Sequence, residues 1–162
     1  MIEIWVDGGT RKNGTANALG AWAYYGYYDF QSVQVIIQAK QAVENTTNQR
    51  MELTAAIKAI EKSRLNNPDM PIIIYTDSAY LYNCWKDKWY YNWLNSGWLN
   101  SKNEPVANKD LWEQLIPHFK HGFLTIKKVK GHSGNRGNEI ADRLVNQAMD
   151  EYEILKEEGV IE

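Results

Sequence analysis

In Ile2-Glu3-Ile4-Trp5-Val6-Asp7, apolar residues at 2, 4 and 6 alternate with others, the two-residue period of a strand with one face on a core. Gly8-Gly9 is expected to stop that run, so the strand would end in a carboxylate. Thr10 to Asn17 is small, polar and Gly-containing, as a hairpin loop should be. Ala21 to Phe30 and Ser32 to Val43, rich in Tyr, Trp, Val and Ile, predict two further strands of an antiparallel set. From Thr47 the period lengthens. Met51, Ala55, Ile57, Ala59, Ile60 and Leu65 recur at helical spacing, with Thr47 or Asn48 as the cap and Asn66-Asn67-Pro68 as the stop. Glu52 is then expected in the first helical turn. Pro71 to Asp77 is a short, nearly continuous apolar run, which predicts a strand buried on both faces by covering helices and again ending in a carboxylate. Residues 78 to 121 read as short helices between Trp-rich and Asn-rich turns, the clearest starting at Asn108-Lys109-Asp110-Leu111-Trp112. A strand from Phe123 to Val129 and a helix from about Asn138 complete the order βββαβ, small helices, βα.

The 162 residues suffice for one domain with a sizeable core, and no repeat or Pro/Gly/Ser linker divides them. With 44% hydrophobic and 23% charged residues, the chain is neither disordered nor fibrous in composition. A net charge of -2 gives no bulk attraction to nucleic acid or anionic lipid, but residues 78 to 130 carry eight Lys against four acids and are the only basic segment. The single cysteine, Cys84, excludes a disulfide framework and a Cys-rich zinc site. Together with the lack of a secretory leader, it leads us to expect a cytoplasmic protein. No apolar run approaches the ~20 residues of a membrane span. Seven Trp and ten Tyr against three Phe favour rings with a polar handle, a choice suited to wet, ligand-facing surfaces.

The chemistry lies in the acids. Asp7 and Asp77 close two strands at their C-terminal ends, where open α/β sheets hold their ligands. Glu52 near a helix start and Asp142 one turn into the last helix would lean over the same sheet edge. Four converging carboxylates repel one another unless cations neutralise them, and an all-oxygen donor set selects Mg²⁺ or Mn²⁺ over Zn²⁺.

Four segments appear in order: Asp7-Gly8-Gly9 with Asn13-Gly14; Thr47-Asn48-Gln49-Arg50-Met51-Glu52-Leu53-Thr54-Ala55-Ala56; Tyr75-Thr76-Asp77-Ser78-Ala79-Tyr80; and Lys130 to Leu144 with Gly131-His132-Ser133-Gly134 and Asp142. Together they resemble the successive motifs of type 1 ribonuclease H over residues 1 to about 148. The resemblance implies an α/β ribonuclease H-like fold: a five-stranded mixed sheet, three antiparallel strands then two parallel additions, flanked by helices. It implies a catalytic domain over 1–150, followed by an acidic tail over 151–162.

The activity it implies is hydrolysis of the RNA strand of an RNA/DNA hybrid, leaving 5′-phosphate and 3′-hydroxyl ends. Two Mg²⁺ ions, for which Mn²⁺ substitutes, would sit roughly 3.5–4 Å apart to bind both the attacking and the leaving oxygen. By the same resemblance Asp7 bridges both ions, Glu52 and Asp77 complete the shells, and Asp142 holds the ion that activates water. Glu52 would also accept a hydrogen bond from a ribose 2′-hydroxyl, a contact that tells RNA from DNA. His132, in a Gly-flanked loop, would shuttle a proton or help product leave. His118 and His121 lack motif partners and read as structural.

Substrate contacts follow the same pattern. Thr47, Asn48 and Gln49 match a loop that combines a DNA-phosphate contact with minor-groove hydrogen bonds, and Asn108 matches another member of that phosphate pocket. Asn13 would touch the RNA strand. Gly8 and Ser78, beside the acids in their motifs, join this set. Tyr80 and Trp93 correspond to an aromatic channel under the deoxyribose backbone, whereas Trp85, Trp89 and Trp112 read as packing. The segment from Trp85 to Trp98 takes the place of the family's basic handle, but Leu94-Asn95-Ser96 and Leu99-Asn100 stand where a Lys/Arg cluster is usual. Lys86, Lys88, Lys102 and Lys109 compensate only in part. Weaker hybrid binding is expected, with a salt dependence shallower by ~0.9 in log–log slope per lost phosphate contact.

Because the chain opens on the first catalytic strand, neither a separate N-terminal hybrid-binding module nor processive cutting is expected. A monomer is expected, with RNA/DNA hybrid as partner and no membrane. The rival readings are a ribonuclease H domain of a reverse transcriptase or mobile element, and a non-catalytic hybrid-binding module. The latter would be expected to have lost one of the four acids, and all four are present. A proofreading-type exonuclease would carry an acid at position 9, which is Gly.

Overall fold

The computed structural model describes residues 1–130 and 135–162. The chain runs β1 (Ile2–Arg11), β2 (Leu19–Phe30), β3 (Val33–Glu44), α1 (Asn48–Asn66), β4 (Ile72–Thr76), α2 (Ala79–Asp87), α3 (Trp89–Ser96), α4 (Lys109–His121), β5 (Leu124–Lys128) and α5 (Arg136–Glu157). The sheet order is β3-β2-β1-β4-β5. β1, β2 and β3 pair antiparallel, and β4 and β5 add in parallel. This is the mixed α/β sheet that the sequence implied.

Strand alternation divides the chain between two faces. Ile2, Ile4 and Val6 of β1 with Trp22 and Tyr24 of β2 join the main core, which Leu53, Ile57 and Ile60 of α1 and Trp112 and Leu115 of α4 fill from the other side. The opposite face is covered by one element, α5, whose Leu144, Val145, Ala148 and Met149 pack on Ala21 and Ala23. Small residues on β2 let that helix lie close. α5 crosses β1, β2 and β3 but leaves β4. Ile72 and Ile74 are therefore fully buried while Ile73 and Tyr75 are half-exposed, so the expectation that this strand is buried on both faces is corrected.

Three boundaries also differ. β1 does not stop at Gly8-Gly9 but continues to Arg11, with Gly8 opposite Trp22 and Gly9 opposite Ala21. The reason is close approach: a Cβ on Gly8 would lie 2.3 Å from the Met51 carbonyl carbon and 2.5 Å from the Glu52 nitrogen. Gly8 lets the start of α1 rest on the strand. α1 begins at Asn48 with Thr47 as its cap, the Thr47 hydroxyl accepting from Arg50 N at 3.2 Å. Glu52 is thus the fifth helical residue, in the second turn rather than the first. α5 begins at Arg136, two residues before the expected start, because Asn135 caps it by accepting from Asn138 N at 3.1 Å.

Beyond Asp150 the helix continues to Glu157 and is tied to the sheet by ion pairs: Arg11 with Asp150 (2.7 Å) and Glu153 (3.0 Å), Lys40 with Glu151 (3.5 Å), and Lys156 with Glu44 (3.5 Å). Among the described residues no helix is long and apolar enough to cross a membrane.

Candidate active site

Parallel pairing of β1 with β4 puts their C-terminal halves side by side, with Trp5 opposite Tyr75. Asp7 and Asp77 lie two residues further along each strand direction, Asp77 just past the end of β4. Ser78 follows at once as the cap of α2, its hydroxyl oxygen accepting from Leu81 N at 3.1 Å. The same side chain hydrogen-bonds the carboxylate of Glu52, which α1 brings in over Gly8. Asp142 arrives from the far face on α5.

The electrostatics tie the four together. Asp7 is 7% exposed, and its carboxyl is pushed up to about 8. Burial is the largest cause, followed by the charges of Asp77 and Asp142 and, more weakly, Glu52; the Gly8 N–H, donating to Oδ1 at 2.9 Å, opposes them. Glu52 is raised as well, first by burial and then by Asp77, with the Ser78 hydrogen bond pulling the other way. Among the described residues no three acidic, His or Cys side chains are drawn together closely enough to chelate an ion as they stand. The arrangement is therefore a set of mutually repelling carboxylates around a buried acid whose charged form is disfavoured. That donor set fits a hard divalent cation, which would relieve the repulsion that raises Asp7.

The substrate-side residues fall into two linked groups. Asn13, in the β1–β2 loop, accepts from Asn48 N at 3.3 Å, and Thr10 donates to Asn48 Oδ1 at 2.7 Å, so the loop and the start of α1 form one surface with Thr47. Gln49 is exposed beside them. In the second group Asn108 Nδ2 donates to the Tyr80 hydroxyl at 3.2 Å, and Trp112 Nε1 donates to the same oxygen at 3.0 Å. Trp93 packs on Trp112 (5.4 Å between centroids) and stacks on Trp98 (5.7 Å, 27°), over which Lys109 places its ammonium at 5.6 Å. Trp112 is fully buried, and Trp85 and Trp89 pack half-buried against the core, as expected. Leu94 and Leu99 stand exposed on this surface, leaving it weakly basic.

Sequence reasoning gave no role to the residue that joins the groups. Arg50 pairs with Asp110 through two hydrogen bonds (3.0 and 2.7 Å) and donates to Asn108 Oδ1 at 3.3 Å. The guanidinium holds the Asp110 carboxyl below its ordinary range. The signal was available: Arg50 lies inside the Thr47 to Ala56 motif, and Asp110 is two residues from Asn108. His132 lies in 131–134, outside the described residues.

The family profile described as RNase H matches residues 1–150. The chain belongs to the ribonuclease H family. A ribonuclease H of Clostridium botulinum is 39% identical over 153 residues, covering 94% of this chain and 98% of the relative. Among solved structures, LC9-RNase H1, a type 1 RNase H with the type 2 active-site motif, superposes with a TM-score of 0.78 at 22% identity, covering 91% of this chain and 71% of the other. LC11-RNase H1, solved in complex with RNA/DNA hybrid, gives 0.65 at 21% identity over 94% of this chain and 99% of the other. At these identities the structural matches speak to the ribonuclease H fold, and the sequence relatives to the family.

Proposed function

We propose that this ribonuclease H is an endonuclease that hydrolyses the RNA strand of RNA/DNA hybrids by two-metal-ion catalysis, leaving 5′-phosphate and 3′-hydroxyl ends. The observation that carries the reading is Asp7: a buried acid raised by three other acids, Asp77 just past the end of the neighbouring strand, Glu52 in the second turn of α1 and Asp142 from the opposite face. Such a cluster costs stability unless cations use it. Mg²⁺ or Mn²⁺, when bound, supplies charge neutralisation at the phosphate and a hydroxide nucleophile at neutral pH.

Asp7, Glu52, Asp77 and Asp142 would hold the ions, Asp7 being the acid that the other three raise. Ser78 orients the Glu52 carboxylate, which also accepts from a ribose 2′-hydroxyl and so selects RNA. His132 would shuttle a proton or help product leave. Asn13 meets the RNA strand. Thr47, Asn48, Gln49 and Asn108 take a DNA phosphate and minor-groove edges, held in register by Arg50, and Gly8 lets the strand and helix meet beneath them. Tyr80 and Trp93 present rings to the deoxyribose backbone. The hybrid bound by the similar LC11-RNase H1 supports this choice of substrate. All four acids come from one chain, in keeping with a monomer, and the free, buried Cys84 suits a reducing cytoplasm.

The test is cleavage of labelled RNA/DNA hybrid, RNA duplex, DNA duplex and single-stranded RNA with Mg²⁺, with EDTA, and with Asp77→Asn protein. The expected result is cutting of the hybrid's RNA strand alone, abolished by EDTA and lowered about a thousandfold by the substitution. Hybrid that binds but stays intact with either ion would replace the nuclease with a binding module.

A further inference from the structure

The hydrogen bonds around Tyr80 all run one way, and they end in a donor that the protein does not use. The phenol oxygen accepts from Asn108 Nδ2 at 3.2 Å and from Trp112 Nε1 at 3.0 Å. An indole N–H can only donate, and Trp112 is fully buried, so that direction is fixed. With its oxygen engaged twice as acceptor, the Tyr80 O–H points away from both partners, and among the described residues nothing accepts from it. Tyr80 is half-buried, so this hydrogen is left to whatever lies against the surface.

Arg50 sets the direction of the Asn108 amide in turn. Asn108 holds the cap position of α4 with φ 61°, yet its side chain makes no capping bond. Its Oδ1 instead accepts from Arg50 Nη1 at 3.3 Å, and a guanidinium, like an indole, offers no acceptor. The carbonyl end of the amide therefore faces Arg50 and the NH₂ end faces Tyr80. Turned over, the amide would set a carbonyl against the phenol and draw its hydrogen inward. Arg50 also occupies the nearest acid, since both arms of its guanidinium hold Asp110, at 3.0 and 2.7 Å. The next residue, Lys109, adds an ammonium that meets Glu113 only at 4.0 Å.

We propose that the Tyr80 hydroxyl donates to a phosphate oxygen of the DNA strand, and that Arg50 is the positioning residue that keeps this hydrogen facing outward. A rim of donors matches an anionic oxygen, and a hydrogen bond to a charged acceptor is about twice as strong as a neutral one. This role is separate from that of the ring: a phenylalanine would serve the deoxyribose contact and not the bond. The inference rests on the reading of this chain as a ribonuclease H that binds RNA/DNA hybrid.

The experiment measures affinity for the hybrid in EDTA, with each DNA phosphate in turn replaced by an uncharged methylphosphonate. The parent should lose about tenfold at one position. Tyr80→Phe should bind the unmodified hybrid about tenfold more weakly and lose nothing further at that position. A phenol that only supports Trp112 and Asn108 would weaken every hybrid alike, and that result would overturn the proposal. Because Tyr80→Phe also leaves two donors without their acceptor, 3-fluorotyrosine at position 80 gives an independent reading: it keeps both partners and makes the phenol a stronger donor. Below neutral pH the parent hybrid should then bind about twofold more tightly; unchanged or weaker binding would overturn the proposal. Arg50→Met combined with Asp110→Asn, which preserves net charge, should lose the preference for that phosphate with Tyr80 intact. A loss there equal to the parent's would remove Arg50 from the account. Coupling without any cutting of RNA in Mg²⁺ would defeat the nuclease reading alone, and cutting without coupling would defeat this inference alone.

Discussion

Asp7→Asn is expected to leave the protein unable to cut and, without divalent cations, harder to unfold. The two effects share a cause. In the folded chain burial and three neighbouring acids push Asp7 up to about 8, whereas an unfolded Asp ionises near 4. Between those values the folded state holds a proton that the unfolded state has released, so unfolding is increasingly favoured as pH rises, until the penalty levels off above about 8. Asn carries no such penalty. The variant should therefore match the parent near pH 4.5 and exceed it by on the order of 3 kcal/mol at pH 7. Mg²⁺ should raise the melting temperature of the parent and have little effect on the variant. Cleavage should fall about a thousandfold or more, equivalent to about 4 kcal/mol of transition-state stabilisation. Denaturant midpoints across pH in EDTA, beside single-turnover cleavage in Mg²⁺, measure both. A variant less stable than the parent across that whole range would sink the account.

Gly8→Ala should be costly by a different route. Its Cβ would meet the Met51 carbonyl carbon, the Glu52 nitrogen and the Met51 oxygen at 2.3, 2.5 and 2.6 Å. All three are backbone atoms of the first turns of α1, so no side chain can swing aside. The helix must lift from the strand, at about 3 kcal/mol, and Glu52 moves with it. A displacement near 1 Å at a catalytic group costs about a hundredfold in rate. Gly9→Ala is the control, since its Cβ would meet only Val145 Cγ1 at an ordinary 3.6 Å. Urea unfolding of the pair reads the difference directly, and equal midpoints for the two variants would show that the helix has room to spare.

The glycine pair also marks where sequence reading stops. Alternation at Ile2, Ile4 and Val6 made the first strand legible, and the cap at Thr47 was written in residue type, whereas the cap at Asn135 went unread and the last helix was expected two residues late. Gly8-Gly9 read as an ending because local pattern cannot tell a glycine that breaks a strand from one that admits a helix lying across it. Ile73 read as buried for a related reason: its exposure depends on where α5 crosses the sheet, a fact of helix placement and not of the β4 segment itself. The acids at 7, 52, 77 and 142 were legible because each sits inside a short motif, although only Asp77 lies at the end of an element. The Arg50–Asp110 pair was not, since its partners are 60 residues apart and only the docking of α4 on α1 joins them.

α5 alone covers β1, β2 and β3 on one side of the sheet, where six small and medium side chains of α5 and β2 form a separate cluster, while the main core draws on four helices. A helix that docks on the sheet outside the main core, tied at its far end by ion pairs that salt weakens, can detach as a unit while the remainder stays folded. Asp142 would leave with it. The enzyme would then fall silent on warming before it melts, disarmed by the loss of one carboxylate from an otherwise intact sheet.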